Sequence, residues 1–186
     1  MRKLIEFYSG SPQFRIQEST DIHAPYYCYY GQAELENDLI DMGQDYQGKR
    51  VRTFDKLITV QTDDIVFSLI SGRASQVRAR HQGYLLTQNY VKLIPSSPIN
   101  GKYLIFLLNE DANIRRQLQM NLQGSSVQKY TLKQLKELEL PPLPPLEKQQ
   151  LMGEIYFKQL RIQALQQRVA KLQTTIILNQ LKGVKQ

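Results

Sequence analysis

A chain of 186 residues with 41% apolar and 22% charged residues has room for one ordinary domain and an appendage, with enough apolar material for a core. It contains no apolar run of about 18 residues, and residues 1–8 lack the apolar core of a signal peptide; a cytoplasmic protein without a membrane span is expected. The net charge of +7 is unevenly spread: Lys/Arg against Asp/Glu is 7 to 11 over residues 1–71, 10 to 4 over 72–140 and 7 to 2 over 141–186. A one-sided basic stretch suits a polyanionic partner or a solvated face, and charge alone leaves both open.

In chain order, residues 7–17 read as extended, with Gly10 and Pro12 as punctuation. Residues 26–30, Tyr-Tyr-Cys-Tyr-Tyr, have the aromatic content of a strand. Residues 41–48 form a polar turn region, 56–60 a candidate strand, and Thr62-Asp63-Asp64 a turn. Residues 65–70 are an apolar run of buried-strand length, broken at Ser71-Gly72. Val77 and residues 84–86 read as extended, and 89–94 as a further strand closed by Pro95 and Pro98.

The period then changes. Tyr103, Leu104, Phe106, Leu107, Leu108, Ile114 and Leu118 recur as on an amphipathic helix or helix pair between about 101 and 121. Gly124-Ser-Ser126 closes that unit. Thr131 is placed to cap a short helix over 132–136, and Leu138 and Leu140 read as a last strand.

Four prolines, Pro141, Pro142, Pro144 and Pro145, then exclude both helix and central strand. Beyond them lies a proline-free helical pattern to about Lys182. Proline and Glu147 at its start suit a helix N-terminus. Ile155, Ile162, Leu165, Val169, Leu172 and Ile176 follow a 3.5-residue repeat, with Lys158 and Asn179 as polar residues in the same seam. A helix of some 35 residues extends roughly 50 Å, too far to lie wholly on the preceding unit. Part of its stripe must face another helix, in this chain or a second; the competing expectation is a helix packed back on its own domain. The fold class is therefore α+β: a mixed globular part over 1–140, a proline-rich junction over 141–146 and a long helix over 147–186.

Enzyme motifs fail. One cysteine and two histidines, His23 and His81, are too few for a standard zinc site, and Cys28 has no disulfide partner. No glycine-rich phosphate loop, nucleophile elbow or S-adenosylmethionine loop is present. His23 beside Asp21 reads as a surface histidine, and Asp63-Asp64 as a turn rather than a metal pair. Binding chemistry remains. Residues 71–81 carry Arg73, Arg78 and Arg80, the first candidates for DNA contact. Arg50 and Arg52 in a second basic cluster, and Gln128 and Lys129 in a third polar loop, come next. Arginine can bridge guanine O6 and N7, glutamine adenine N6 and N7, and Lys/Arg neutralise phosphates.

The order of these features resembles a known family. The residues that carry it are Asp64-Ile-Val-Phe-Ser68 before an arginine-rich loop, Thr87-Gln-Asn-Tyr-Val-Lys-Leu93, and Tyr103 to Leu108 before Gly124-Ser-Ser126. Most specific is the closing Leu-Pro-Pro-Leu-Pro-Pro-Leu of 140–146 with Gln149-Gln150, leading into a heptad helix. Gly10-Ser-Pro-Gln-Phe-Arg15 and Leu35-Glu-Asn-Asp-Leu39 also fit. Together they resemble the DNA specificity subunit of type I restriction–modification enzymes.

The resemblance implies a target recognition domain over 1–140 that reads one half of a split double-stranded DNA site. It implies helices that form an antiparallel coiled coil, set the spacing and dock modification subunits, with a restriction subunit also possible in the complex. It implies no catalytic centre and no cofactor in this chain, S-adenosylmethionine belonging to the partner that methylates adenine. The full plan has two recognition domains and two helices, whereas this sequence has one of each. A half-length form would restore the plan as a homodimer through its terminal helix, with Ile155, Ile162, Leu165, Val169, Leu172 and Ile176 at the partner face. Two alternatives stay open: a helical assembly protein with a basic surface, and a sequence-independent DNA binder.

Overall fold

The computed structural model describes residues 1, 4–43, 48–120 and 129–183. A four-stranded antiparallel sheet is built from β1 (Ile5–Ser9), β4 (Ile65–Ser68), β5 (Ala74–Gln76) and β7 (Tyr90–Pro95), in the order β1-β7-β4-β5. A second sheet places β2 (Tyr26–Tyr30) between β3 (Arg50–Arg52), antiparallel, and β6 (Leu85–Leu86), parallel. Helices α1 (Gln32–Ile40), α2 (Gly101–Glu110), α3 (Ala112–Met120) and α4 (Leu132–Glu137) precede the 38-residue α5 (Leu146–Gly183). The architecture is α+β with a long C-terminal helix, as the residue pattern indicates.

The main core lies between the first sheet and α2, α3, α4 and the start of α5. Phe67, Val91, Leu104, Leu108, Ile114, Leu118 and Leu135 are all fully buried there. The alternation expected of a one-sided strand is absent from β4, whose four residues are all buried. Val66 points instead into a smaller core with Tyr30, Leu35, Val60, Val77 and Leu86, so β4 is covered on both faces.

Local signals place several boundaries. Thr131 caps α4 reciprocally: its hydroxyl accepts from Gln134 N, and Gln134 Oε1 accepts from Thr131 N at 2.7 Å. Asp111 ends α2, and its carboxylate accepts from Asn113 N and Ile114 N to start α3, so the expected helical unit is a pair. The Asp63-Asp64 turn forms: Asp63 takes φ +70°, and Asp64 Oδ2 accepts from Gln61 N and pairs with Lys92 at 2.8 Å.

Four expectations need correction. Leu138 and Leu140 form no strand. Gln117 bonds both backbone groups of Glu139, the Met1 ammonium donates to Leu138 O, and Pro141 follows without a donor, so these groups are satisfied without a ladder. Residues 56–60 contribute only an isolated bridge, Thr59 to Leu85. The stretch over 7–17 leaves β1 at Ser9 and makes a single 3-10 turn over Gln13–Arg15. Finally, α1 and β3 arise where only polar segments were visible. Buried Glu34, Asn37 and Asp38 obscure the apolar face of α1, and β3 is only three residues long. Gly124-Ser-Ser126 and Gln128 lie outside the described residues.

The proline junction is fastened by one side chain. Gln149, 1% exposed, donates to Pro98 O at 3.0 Å and Pro144 O at 2.8 Å and accepts from Asn100 N at 3.0 Å. It thereby joins the prolines, the N-terminus of α2 and the first turn of α5. A Cβ on Gly153 would sit 2.7 Å from Lys102 Cβ and 2.9 Å from Tyr103 N, so only glycine lets α5 approach α2 this closely. Tyr156 donates to Glu110 and accepts from Asn109, which itself bonds both backbone groups of Ala74 in β5. Burial, and then the bond to Glu110, hold the Tyr156 phenol well above its ordinary pKa. Ile155, on the outer side of this fastened stretch, and Ile162, Leu165, Val169, Leu172 and Ile176 beyond it are all 44–57% exposed as α5 runs outward.

Candidate nucleic-acid interface

The arginines of residues 71–81 have partners within the chain. Arg73 lies 4.0 Å from Glu110 with its side chain 44% exposed. Arg78 donates to Asp38 O at 3.3 Å and lies over the Phe157 ring of α5. Arg80 donates to Asn37 Oδ1 at 3.2 Å and to Asp41 Oδ1 at 2.7 Å. Underneath, fully buried Asp38 accepts from Tyr30 OH at 2.9 Å, and its other oxygen meets His81 Nδ1 at 2.8 Å. Burial first, and then the Asp38 carboxylate, push the Tyr30 phenol well above its ordinary pKa. This Tyr–Asp–His group ties β2, α1 and the 3-10 turn over Ala79–His81 together. It is sealed from solvent, so its role is structural. Lys129 donates to Asn89 Oδ1 at 2.6 Å on an exposed loop.

Arg50 and Arg52 are placed differently. In β3 they flank buried Val51, and the period of two turns both outward. Both guanidinium groups lie 5.6 Å from the ring of Tyr26, their neighbour on β2, which is 54% exposed. Arg50 also donates to Tyr26 OH at 3.4 Å, the main reason its pKa stands above the ordinary value. Lys49 lies 5.5 Å from the Tyr29 ring, and burial raises the Tyr29 phenol.

The segment before β2 adds to this surface. It is tied to β3 and its exit by Ser19 N to Arg52 O, Thr53 N to Pro25 O and Gln17 N to Asp55 Oδ2. Phe14 and Ile22 are 76–77% exposed along it, Phe54 is 65% exposed just after β3, and Arg15 lies 5.5 Å from the Phe14 ring. The result is a surface of exposed aromatic faces interleaved with Arg15, Lys49, Arg50 and Arg52. Arg50 gives one donor to Tyr26 OH and Arg52 one to Ile22 O; a guanidinium has five, so others remain for phosphates or base edges, and the rings offer faces to bases or sugars.

Of the sequence candidates, the structure brings Arg50 and Arg52 together on this surface and turns Arg78 and Arg80 toward Asp41. It leaves Arg73 and Lys129 in other exposed loops. Lys49 of the same basic cluster lies beside them, and Tyr26, Phe14 and Arg15, which were not among the sequence candidates, share the surface. The legible signal was Arg-Val-Arg, an alternation that puts two cations on one face of a strand. Among the described residues no cluster of metal-ligating side chains occurs, and no helix is long and apolar enough to cross a membrane.

A family model described as type I restriction modification DNA specificity domain matches residues 14–174. Three solved structures, each 16% identical, are similar. The HsdS subunit from Thermoanaerobacter tengcongensis has a TM-score of 0.49 over 93% of this chain and 38% of that one. A chain from a study of assembly and conformational transition of the type I restriction–modification system gives 0.59 over 96% and 41%. The type I restriction–modification S subunit from M. genitalium gives 0.52 over 95% and 41%. The chain thus spans about two fifths of the length of the solved chains it matches. A comparison with curated proteins finds no match.

Proposed function

The chain belongs to the type I restriction modification DNA specificity family, and we propose that it binds double-stranded DNA sequence-specifically through the face formed by β2, β3 and the segment before β2. The family is one of DNA recognition without catalysis. On this reading the chain directs modification subunits, with S-adenosylmethionine bound on those partners, and a restriction subunit where one is present. The observation that carries the proposal is the exposed Tyr26–Arg50–Arg52 stack with Lys49 and Arg15 beside it. Arg73 and Lys129 are candidates for outer phosphate contacts.

The exposed stripe of α5 supports a second element, a homodimer. One row of its seam is Ile155, Ile162, Val169 and Ile176, and the other includes Leu165 and Leu172, an apolar stripe with the seven-residue repeat that a partner helix can cover. An antiparallel pair centred near residue 167 would set the two Phe157 positions roughly 30 Å apart along the axis, at ~1.5 Å per residue. That is close to one turn of B-DNA, ~34 Å. Such a dimer would read two inverted half-sites about one turn apart. Lys158→Leu in the seam should tighten the dimer; unchanged association in sedimentation would count against this seam.

Selection from a random duplex library with the full chain tests the proposal. Recovery of a two-part inverted motif is expected. Binding without a motif would mean a sequence-independent DNA binder, and no binding at moderate salt would leave the helical assembly protein.

A further inference from the structure

Asp41 occupies an unusual position. It ends α1 in the left-handed conformation, φ +51° and ψ +47°, where its carboxylate stands between the recognition domain and α5. Oδ1 accepts from Arg80 at 2.7 Å, and Arg78 Nε lies 3.9 Å from the same oxygen. Oδ2 accepts from Arg161 of α5 at 2.9 Å. Arg78 in turn lies over Phe157, the last fully seated residue of α5. Ile40 and Met42 continue the contact, lining a groove with Ala164 and Gln167. One carboxylate thus gathers cations from the arginine loop and from the helix, just where the helix leaves the domain.

We propose that Asp41, with Arg80 and Arg161, is a positioning device that fixes the exit direction of α5 and so selects the distance between half-sites. This rests on the bipartite DNA reading above. Leverage makes a small clamp effective. From the close approach at Gly153, Arg161 is ~12 Å along the helix and Gly183 ~45 Å, at ~1.5 Å per residue. A release of roughly 3 Å at Asp41 therefore swings the distal end by ~11 Å, equal to about three base pairs at ~3.4 Å each. The Arg161 pair is exposed, its side chain 57% accessible, so it contributes little to stability. Its effect is on direction.

The test uses the full chain and two measurements. In the first, random duplex libraries are selected with wild type, Asp41→Ala and Arg161→Ala. Both variants should keep the half-site motif but spread the preferred spacing from one length to about three, following the lever above. Arg161→Ala changes only an exposed helix residue and keeps the experiment interpretable if Asp41→Ala folds poorly. In the second, Cys28→Ser chains carry spin labels at Thr62 and Gln180, and the distance distribution is measured with and without Arg161→Ala. A broader distribution is expected. Unchanged widths, or unchanged spacing preference in both variants, overturns the clamp. If wild type selects no motif, the DNA reading fails, and the spin-label distances still decide whether Asp41 holds the helix.

Discussion

Arg78 and Arg80 lie 26 to 30 residues from Arg50 and Arg52 along the chain, yet the two pairs meet opposite surroundings. The first pair faces carboxylate and carbonyl oxygens of α1 and a ring of α5. The second faces a tyrosine ring on an open sheet, with Arg52 also bonding Ile22 O. An arginine held at a carboxylate of its own chain is already charge-paired, while one over an exposed ring that gives a single bond to a neutral oxygen keeps its charge unpaired for an external anion. Basic composition does not distinguish these roles; the neighbours do.

The largest expected separation comes from beneath the inner pair. Asp38→Ala leaves Tyr30 OH and His81 without their buried partner and should lower stability by about 3 kcal/mol or more in denaturant titration. Arg80→Ala removes bonds to Asn37 and Asp41. It should lower stability by about 1–3 kcal/mol while the salt dependence of DNA binding stays unchanged. A flattened salt slope would instead place Arg80 on DNA.

Arg50→Ala with Arg52→Ala should show the reverse. Thermal stability should move by no more than ~0.5 kcal/mol per substitution. The slope of log affinity against log salt should fall by about two if both contact phosphates. Equal slopes in mutant and wild type would remove these residues from the interface.

The smallest effect concerns Glu154, which accepts from Lys102 across α5 and α2 at 2.5 Å. That hydrogen bond, more than any other cause, lowers its pKa. Its stabilisation is therefore complete above the ordinary carboxylate pKa and lost as pH falls through the lowered value. Glu154→Gln should remove a small acid-side slope from the melting temperature; an unchanged profile would show that the pair is screened.

Much of the fold was legible because local chemistry agreed with it. The Thr131 cap, the Asp63-Asp64 turn, the 65–68 strand and the start of α5 after Pro145 each rest on signals within a few residues. Short-range logic failed where distant groups decided. Leu138 joins no ladder, since the N-terminus takes its carbonyl and Gln117 takes both backbone groups of Glu139. The helix α1 hides buried acids whose partners, Tyr30, His81 and Gly31, include one 43 residues away along the chain.

By itself the sequence determined the α+β class, the proline break, the long heptad helix and the family resemblance. All are carried by periodicity, by the missing donor of proline, or by residues close in order. Only the tertiary structure decided which arginines face outward, that Gln149 fastens the proline junction, and that Asp41 links the domain to its helix. Those outcomes depend on groups up to 120 residues apart meeting within hydrogen-bond distance, and no local pattern records such a meeting.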